Sequence, residues 1–177
     1  MTASTTSPTQ LLGYLTFAEL AEHGIVGGYL LVNQFARPVE FHCSAPVCPN
    51  RTQEILYGPT LRPFLYGEQI GQTLVRQSRL KPKVLLTDEA LALGLRSLID
   101  VPLALLRQQG DASDPRQHPD DEVPFDFDDC RLSTSQGFAA DQSLIISTLR
   151  QLVCGWDVYE PLDRIREAIR EAQRAAA

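Results

Sequence analysis

Along residues 11–23, Leu12, Phe17, Leu20 and Ala21 recur as an apolar stripe, with Thr16 placed to cap and Gly24 placed to stop, which predicts a short helix. Tyr29 to Val32 is an unbroken apolar run, the mark of a buried strand. After a loop, Val39, Phe41 and Cys43 alternate with Glu40, His42 and Ser44, so a second, half-buried strand completes an antiparallel hairpin. Asn50 caps a one- to two-turn helix that Gly58 ends, and a longer helix is predicted over 60–79, with Pro63 in its first turn. Residues 83–87 form a buried strand, 89–99 a helix opened by Thr87 and Asp88, and 101–106 another strand. That order makes a βαβ unit and implies parallel strands.

The second half is patterned less densely. Residues 107–121 hold no large apolar side chain and predict a solvated, mobile loop. Short edge strands are expected at 123–127 and 130–134. Asp141 is expected to cap a helix through Val153, and Pro161 to open a final helix whose stripe is Leu162, Ile165 and Ile169. The expected fold is α/β (or α+β): a single small mixed sheet with an N-terminal β-hairpin and a βαβ unit, flanked by helices, plus a C-terminal helical pair. The expected organisation is a disordered lead-in over 1–10, an α/β core over 11–106, an acidic mobile loop over 107–122, and strands and helices over 123–177 that complete the same domain.

The element order of residues 12–106 is similar to the deaminase-like α/β architecture. That resemblance implies a His-x-Glu after the second strand and a Pro-Cys-x-x-Cys opening the next helix, to hold zinc and shuttle protons. Here the matching places read His42-Cys43-Ser44 and Thr87-Asp88-Glu89, so a standard zinc deaminase is excluded. Cys43 and Cys48 lie at the edge of zinc spacing, with no second pair to complete a site. Cys43 shares the Val39 and Phe41 face, which predicts a buried structural thiol. His42 and Cys43 point to opposite faces of a strand, so the imidazole does not activate the thiol. No metal and no cofactor are expected.

Composition changes the picture in three ways. At 177 residues and 44% hydrophobic, the chain can bury one substantial core. No apolar run is long enough to span a bilayer, the first ten residues lack an apolar signal core, and four scattered cysteines do not make a disulfide scaffold. A cytoplasmic protein is the expectation. The net charge of −6 divides into +2 over residues 1–83 and −8 over 84–177, with the acidic excess between Asp111 and Asp129. That balance argues against nucleic acid as a partner.

Gly27 to Gly71 is the stretch richest in residues with special backbone demands. Helical spacing puts Glu68 among Leu61, Phe64, Gly71 and Val75, where a buried carboxylate would need Arg37, Arg51 or Arg62 as a partner. Two functions follow. The first is a non-catalytic protein-interaction or assembly domain, self-associating or part of a larger assembly, with Phe35, Tyr66, Trp156 and Tyr159 as interface anchors. The second is a small-molecule binder or enzyme whose polar cleft is lined by Glu40, His42, Arg51, Glu54, Tyr57 and Glu68.

Overall fold

Alternate residues of β1 (Leu12–Leu20) point to opposite faces of a sheet, and through Phe17 both sets are almost free of charge. Such a strand needs cover on both sides. The computed structural model, which describes residues 10–21, 23–108 and 122–176, puts it third in a seven-stranded mixed sheet. The helix predicted over 11–23 is therefore corrected to a strand. A stripe spaced for a helix is also what a doubly buried strand displays, because apolar residues occupy both faces.

β1 pairs antiparallel with β2 (Gly24–Val32), and β2 pairs antiparallel with β3 (Pro38–Cys43), which is the predicted hairpin. On its other side β1 runs parallel to β4 (Val84–Thr87), and β4 runs parallel to β5 (Leu103–Arg107). β6 (Glu122–Phe127) and β7 (Cys130–Ser135) form an antiparallel hairpin in the same sheet, in the order β3-β2-β1-β4-β5-β7-β6. β7 lies inside the sheet rather than at its edge. β6 is the edge strand, where Pro124 lacks a ladder donor at little cost.

Between the strands run α1 (Arg51–Tyr57) and a helical run over 58–77, here α2. Next comes a 3₁₀ segment (Ala90–Leu98) where a helix was predicted, then α3 (Asp141–Leu152) and α4 (Glu160–Ala176). Asn50 caps α1 with a full capping box, its side chain accepting from the Gln53 N–H while Gln53 accepts from the Asn50 N–H. α3 has no side-chain cap. Asp141, the expected cap, lies in its first turn and pairs with Arg96 at 2.6 Å.

One face of the sheet, with Leu15, Tyr29, Leu31, Leu85 and Leu103, packs on α2 and the 3₁₀ segment. The other face, with Leu12, Tyr14, Leu30, Leu86 and Leu106, packs on α3 and α4. Gly27 and Gly28 explain how both layers come so close to β2. A Cβ on Gly27 would lie 2.3 Å from the Ile70 Cγ2, and one on Gly28 would lie 2.2 Å from the Ile165 Cγ2. The strand has no room for a side chain on either face at that point.

The middle of α2, Phe64–Gly71, is wound as a π-helix. The wide turns bring Leu65, Tyr66, Ile70 and Leu74 inward and turn Glu68 out to solvent. The prediction of Glu68 on the apolar side assumed a regular 3.6-residue period, and the π turns break it. Cys43 is also exposed. On β3 Val39, Phe41 and Cys43 are exposed, along with Pro38 at its start, because α4 packs on β1 and β2 and leaves that face of the edge strand uncovered. The loop predicted over 107–121 falls almost wholly outside the described residues, as does the lead-in through residue 9.

Candidate functional site

Parallel pairing aligns Leu15 of β1 with Thr87 at the end of β4. The next residue on each strand, Thr16 and Asp88, therefore lie side by side where β4 ends. In open α/β sheets, crevices form at the carboxyl ends of parallel strands. Here the Thr16 hydroxyl donates to Asp88 Oδ1 at 2.7 Å. The Tyr159 hydroxyl, from the segment entering α4, donates to Asp88 Oδ2 at 3.1 Å. The Arg166 guanidinium pairs with that same oxygen. Seven residues separate Tyr159 from Arg166, about two helical turns, so both reach the same point.

This centre is well enclosed. Thr16 is fully buried, and the side chain of Asp88 is 7% exposed and that of Arg166 26%. Burial draws the Arg166 pKa down, and neighbouring Arg170 adds to the effect. Arg166 also donates to Asp163 at 3.2 Å. Two residues before Thr16, on the same face, Tyr14 buries its hydroxyl without a hydrogen-bond partner, and burial raises its pKa. Asp88 does not cap the segment after β4, as the sequence suggested. Glu89 does so, its carboxylate accepting from the Leu91 N–H at 3.1 Å. Burial pushes the Glu89 carboxyl up.

A second polar group lies on the opposite face of β1, three residues further on. The Tyr66 hydroxyl and the Arg62 guanidinium both donate to Glu19 Oε1, and Arg62 stacks over the Tyr66 ring at 5.5 Å. Phe17 meets Tyr66 edge-on, with centroids 4.7 Å apart. The Tyr66 hydrogen bond, with Arg62 beside it, holds the Glu19 carboxyl below its ordinary range. Glu19 and the centre at Asp88 thus flank the end of β1 from its two faces.

The six residues expected to line a cleft come together only in pieces. Glu40 and His42 are 2.5 Å apart on β3, and Glu40 also accepts from the Arg79 N–H at 2.9 Å. The His42 hydrogen bond keeps the Glu40 carboxyl low. Arg51 and Glu54 pair at 2.9 Å on the surface of α1. Tyr57 stacks on Phe64 at 4.6 Å, and Glu68 is exposed. Of the four expected anchors, Phe35 is exposed at 67%. Tyr66 is buried, which corrects its assignment as an anchor: its ring is core and its hydroxyl is spent on Glu19. Trp156 donates its indole N–H to the Gln34 carbonyl at 3.1 Å, and Tyr159 serves Asp88.

Thr16, Asp88 and Arg166 were missed by sequence reasoning. One signal could have found Asp88, a carboxylate placed just after the apolar run Val84-Leu85-Leu86-Thr87. Among the described residues, no group of three or more His, Cys, Asp or Glu side chains is placed to hold a metal ion.

No protein-family model matches the chain, and no curated protein matches it. Solved structures do. Human endonuclease V aligns with a TM-score of 0.56 at 16% identity, over 96% of this chain and 87% of that one. A Ciona intestinalis endonuclease V variant, in complex with a 23mer DNA containing an inosine followed by a ribo-adenosine, aligns with a TM-score of 0.52 at 11% identity, covering 96% and 87%. The Ciona intestinalis enzyme with a 24mer DNA of the same description gives 0.51 at 12%, covering 96% and 88%. At these identities the shared property is the fold.

The finding nevertheless corrects three expectations. The deaminase-like architecture gives way to an endonuclease V-like one. A non-catalytic, self-associating protein-interaction domain is overturned, because the solved neighbours are nucleases. The exclusion of nucleic acid is overturned as well, because two of those neighbours are in complex with DNA. Net charge sums the whole chain, whereas binding responds to the local field, so it does not exclude such a partner. No helix among the described residues is long and apolar enough to cross a membrane.

Proposed function

We propose that this chain is a nucleic-acid-processing protein that takes its substrate over the sheet where β4 ends beside β1. The observation that carries the reading is the converging set Thr16, Asp88, Tyr159 and Arg166 where β4 ends beside the middle of β1, in a fold shared with DNA-bound endonuclease V structures. Arg62, exposed beside the end of β1, supplies a cationic group suited to phosphate. Tyr159 is partly exposed and adds an aromatic surface on which a base can stack. The free thiols of Cys43, Cys48, Cys130 and Cys154 suit a reducing compartment, in keeping with a cytoplasmic location.

Binding of labelled single-stranded and duplex oligonucleotides, with and without inosine, tests this by fluorescence anisotropy, with gel analysis of the same samples for strand cleavage. The expected result is saturable binding that weakens as salt rises and falls about tenfold in Arg62→Ala, which removes an exposed cation without opening the core. No binding to any oligonucleotide at low salt, or binding indifferent to salt, would sink the reading.

A further inference from the structure

Metal-assisted cleavage of a phosphodiester, common among nucleases, needs oxygen donors that fix one or two divalent cations. Such cations are held by carboxylates, carbonyls and water, and charge neutralisation requires more than one anionic side chain in most protein sites. The polar centre at the end of β4 is built otherwise. Its β1 position is Thr16, a neutral hydroxyl, and that hydroxyl donates its proton to Asp88 Oδ1. The helix facing Asp88 brings Arg166, a cation, and the segment entering it brings Tyr159, another donor, both directed at Oδ2.

A carboxylate offers about four lone-pair sites, and three are taken by these donors. Its single negative charge is already matched by a guanidinium. The carboxylate next to Asp88 in sequence and the one three residues past Thr16 are committed elsewhere. Glu89 accepts from the Leu91 N–H, and Glu19 lies on the other face of β1 with Tyr66 and Arg62. A divalent ion approaching Asp88 would have to displace Arg166 from both of its carboxylates, and the second of these, Asp163, is an exposed side chain on α4 rather than part of the enclosed centre. The residues present do not fit a metal centre.

We propose that this centre is a metal-independent nucleic-acid site in which Arg166 is the resident cation, standing against Asp88 where a metal nuclease would need an ion. The inference rests on the functional reading above for its ligand, while its central claim concerns the donor set alone. Arg166 is a positioning residue: it holds Asp88 neutralised between α4, β1 and the end of β4. No cation-dependent step follows from this arrangement, and any nucleic acid is held by the protein's own donors.

Two measurements separate the inference from the functional reading. In the first, Mn2+ is titrated into the full chain without nucleic acid and followed by electron paramagnetic resonance and by calorimetry. No saturable binding is expected. Stoichiometric Mn2+ binding that is lost in Asp88→Asn would overturn the proposal. A double variant, Thr16→Asp with Arg166→Glu, replaces the hydroxyl and the guanidinium by carboxylates. If circular dichroism finds it folded, it should gain saturable Mn2+ binding and a Mn2+-dependent rise in melting temperature. A folded double variant that gains neither would also overturn the proposal, and the wild-type titration decides the matter if it does not fold.

In the second measurement, oligonucleotide affinity is compared in EDTA and in Mg2+ at matched ionic strength. A change within about twofold is expected, since only screening differs between the buffers. An affinity that requires Mg2+ overturns the proposal. Absence of oligonucleotide binding in both buffers removes the functional reading and leaves the Mn2+ result to judge the donor set.

Discussion

Two acid-centred clusters of this molecule differ in how they are assembled. Glu40 and His42 stand two residues apart on an edge strand, and their pairing needs little more than the strand itself. Asp88 instead draws Thr16 from 72 positions away and Tyr159 from 71, with Arg166 further still. The first cluster lies at the margin of the sheet. The second is enclosed between α4 and two parallel strands. A polar pair that is close in sequence is easily read and contributes little, whereas one gathered from across the chain sits where desolvation makes each partner matter.

The largest effect that could break this comparison is removal of one side of the central pair. Asp88→Ala leaves the largely buried Arg166 guanidinium with only the exposed Asp163 as counter-charge, and a loss of about 3 kcal/mol is expected in urea unfolding. Asp88→Leu combined with Arg166→Met should cost less than either change alone, because it removes both charges together. Equal or greater loss in the double variant would mean that the pair itself, not the orphaned charge, dominates.

Tyr66→Phe probes the intermediate case at Glu19. Loss of a hydrogen bond to a half-exposed carboxylate should cost about 1 kcal/mol at neutral pH. The Glu19 carboxyl is held low mainly by that hydrogen bond, so its stabilisation is present above the ordinary carboxylate range and is lost as pH falls through the depressed value. The gap between the variant and the wild type should therefore close on acidification. A gap that widens at low pH would reverse the sign of the coupling.

The smallest effect is expected at the edge. His42→Ala should change stability by less than about 0.5 kcal/mol, because the Glu40 carboxylate keeps its bond from the Arg79 N–H and the site is near solvent. A loss matching that of Asp88→Ala would erase the distinction between the two clusters.

Local periodicity was sufficient for much of the fold. The β2–β3 hairpin, the parallel pairing of β4 and β5, the Asn50 cap, the helical run opened near Pro63 and the two C-terminal helices each depend on residues close to one another in sequence. β1 was misread because residues buried on both faces lose the period of two that identifies a strand. Glu68 was misplaced because the π turns of α2 are favoured by packing against the 3₁₀ segment, where Gly71 leaves only 3.1 Å between a built Cβ and Leu95. Cys43 was misplaced because its exposure depends on how far α4 extends across the sheet. The candidate site was hidden for the same reason. Composition and pattern determined a mixed α/β sheet flanked by helices, and no more of the chemistry than its scattered polar residues. Only the parallel register of β1 and β4, with α4 laid across Gly28, brought Thr16, Asp88, Tyr159 and Arg166 together, because contacts of long sequence separation are set by packing of whole elements and leave no periodic trace in the chain.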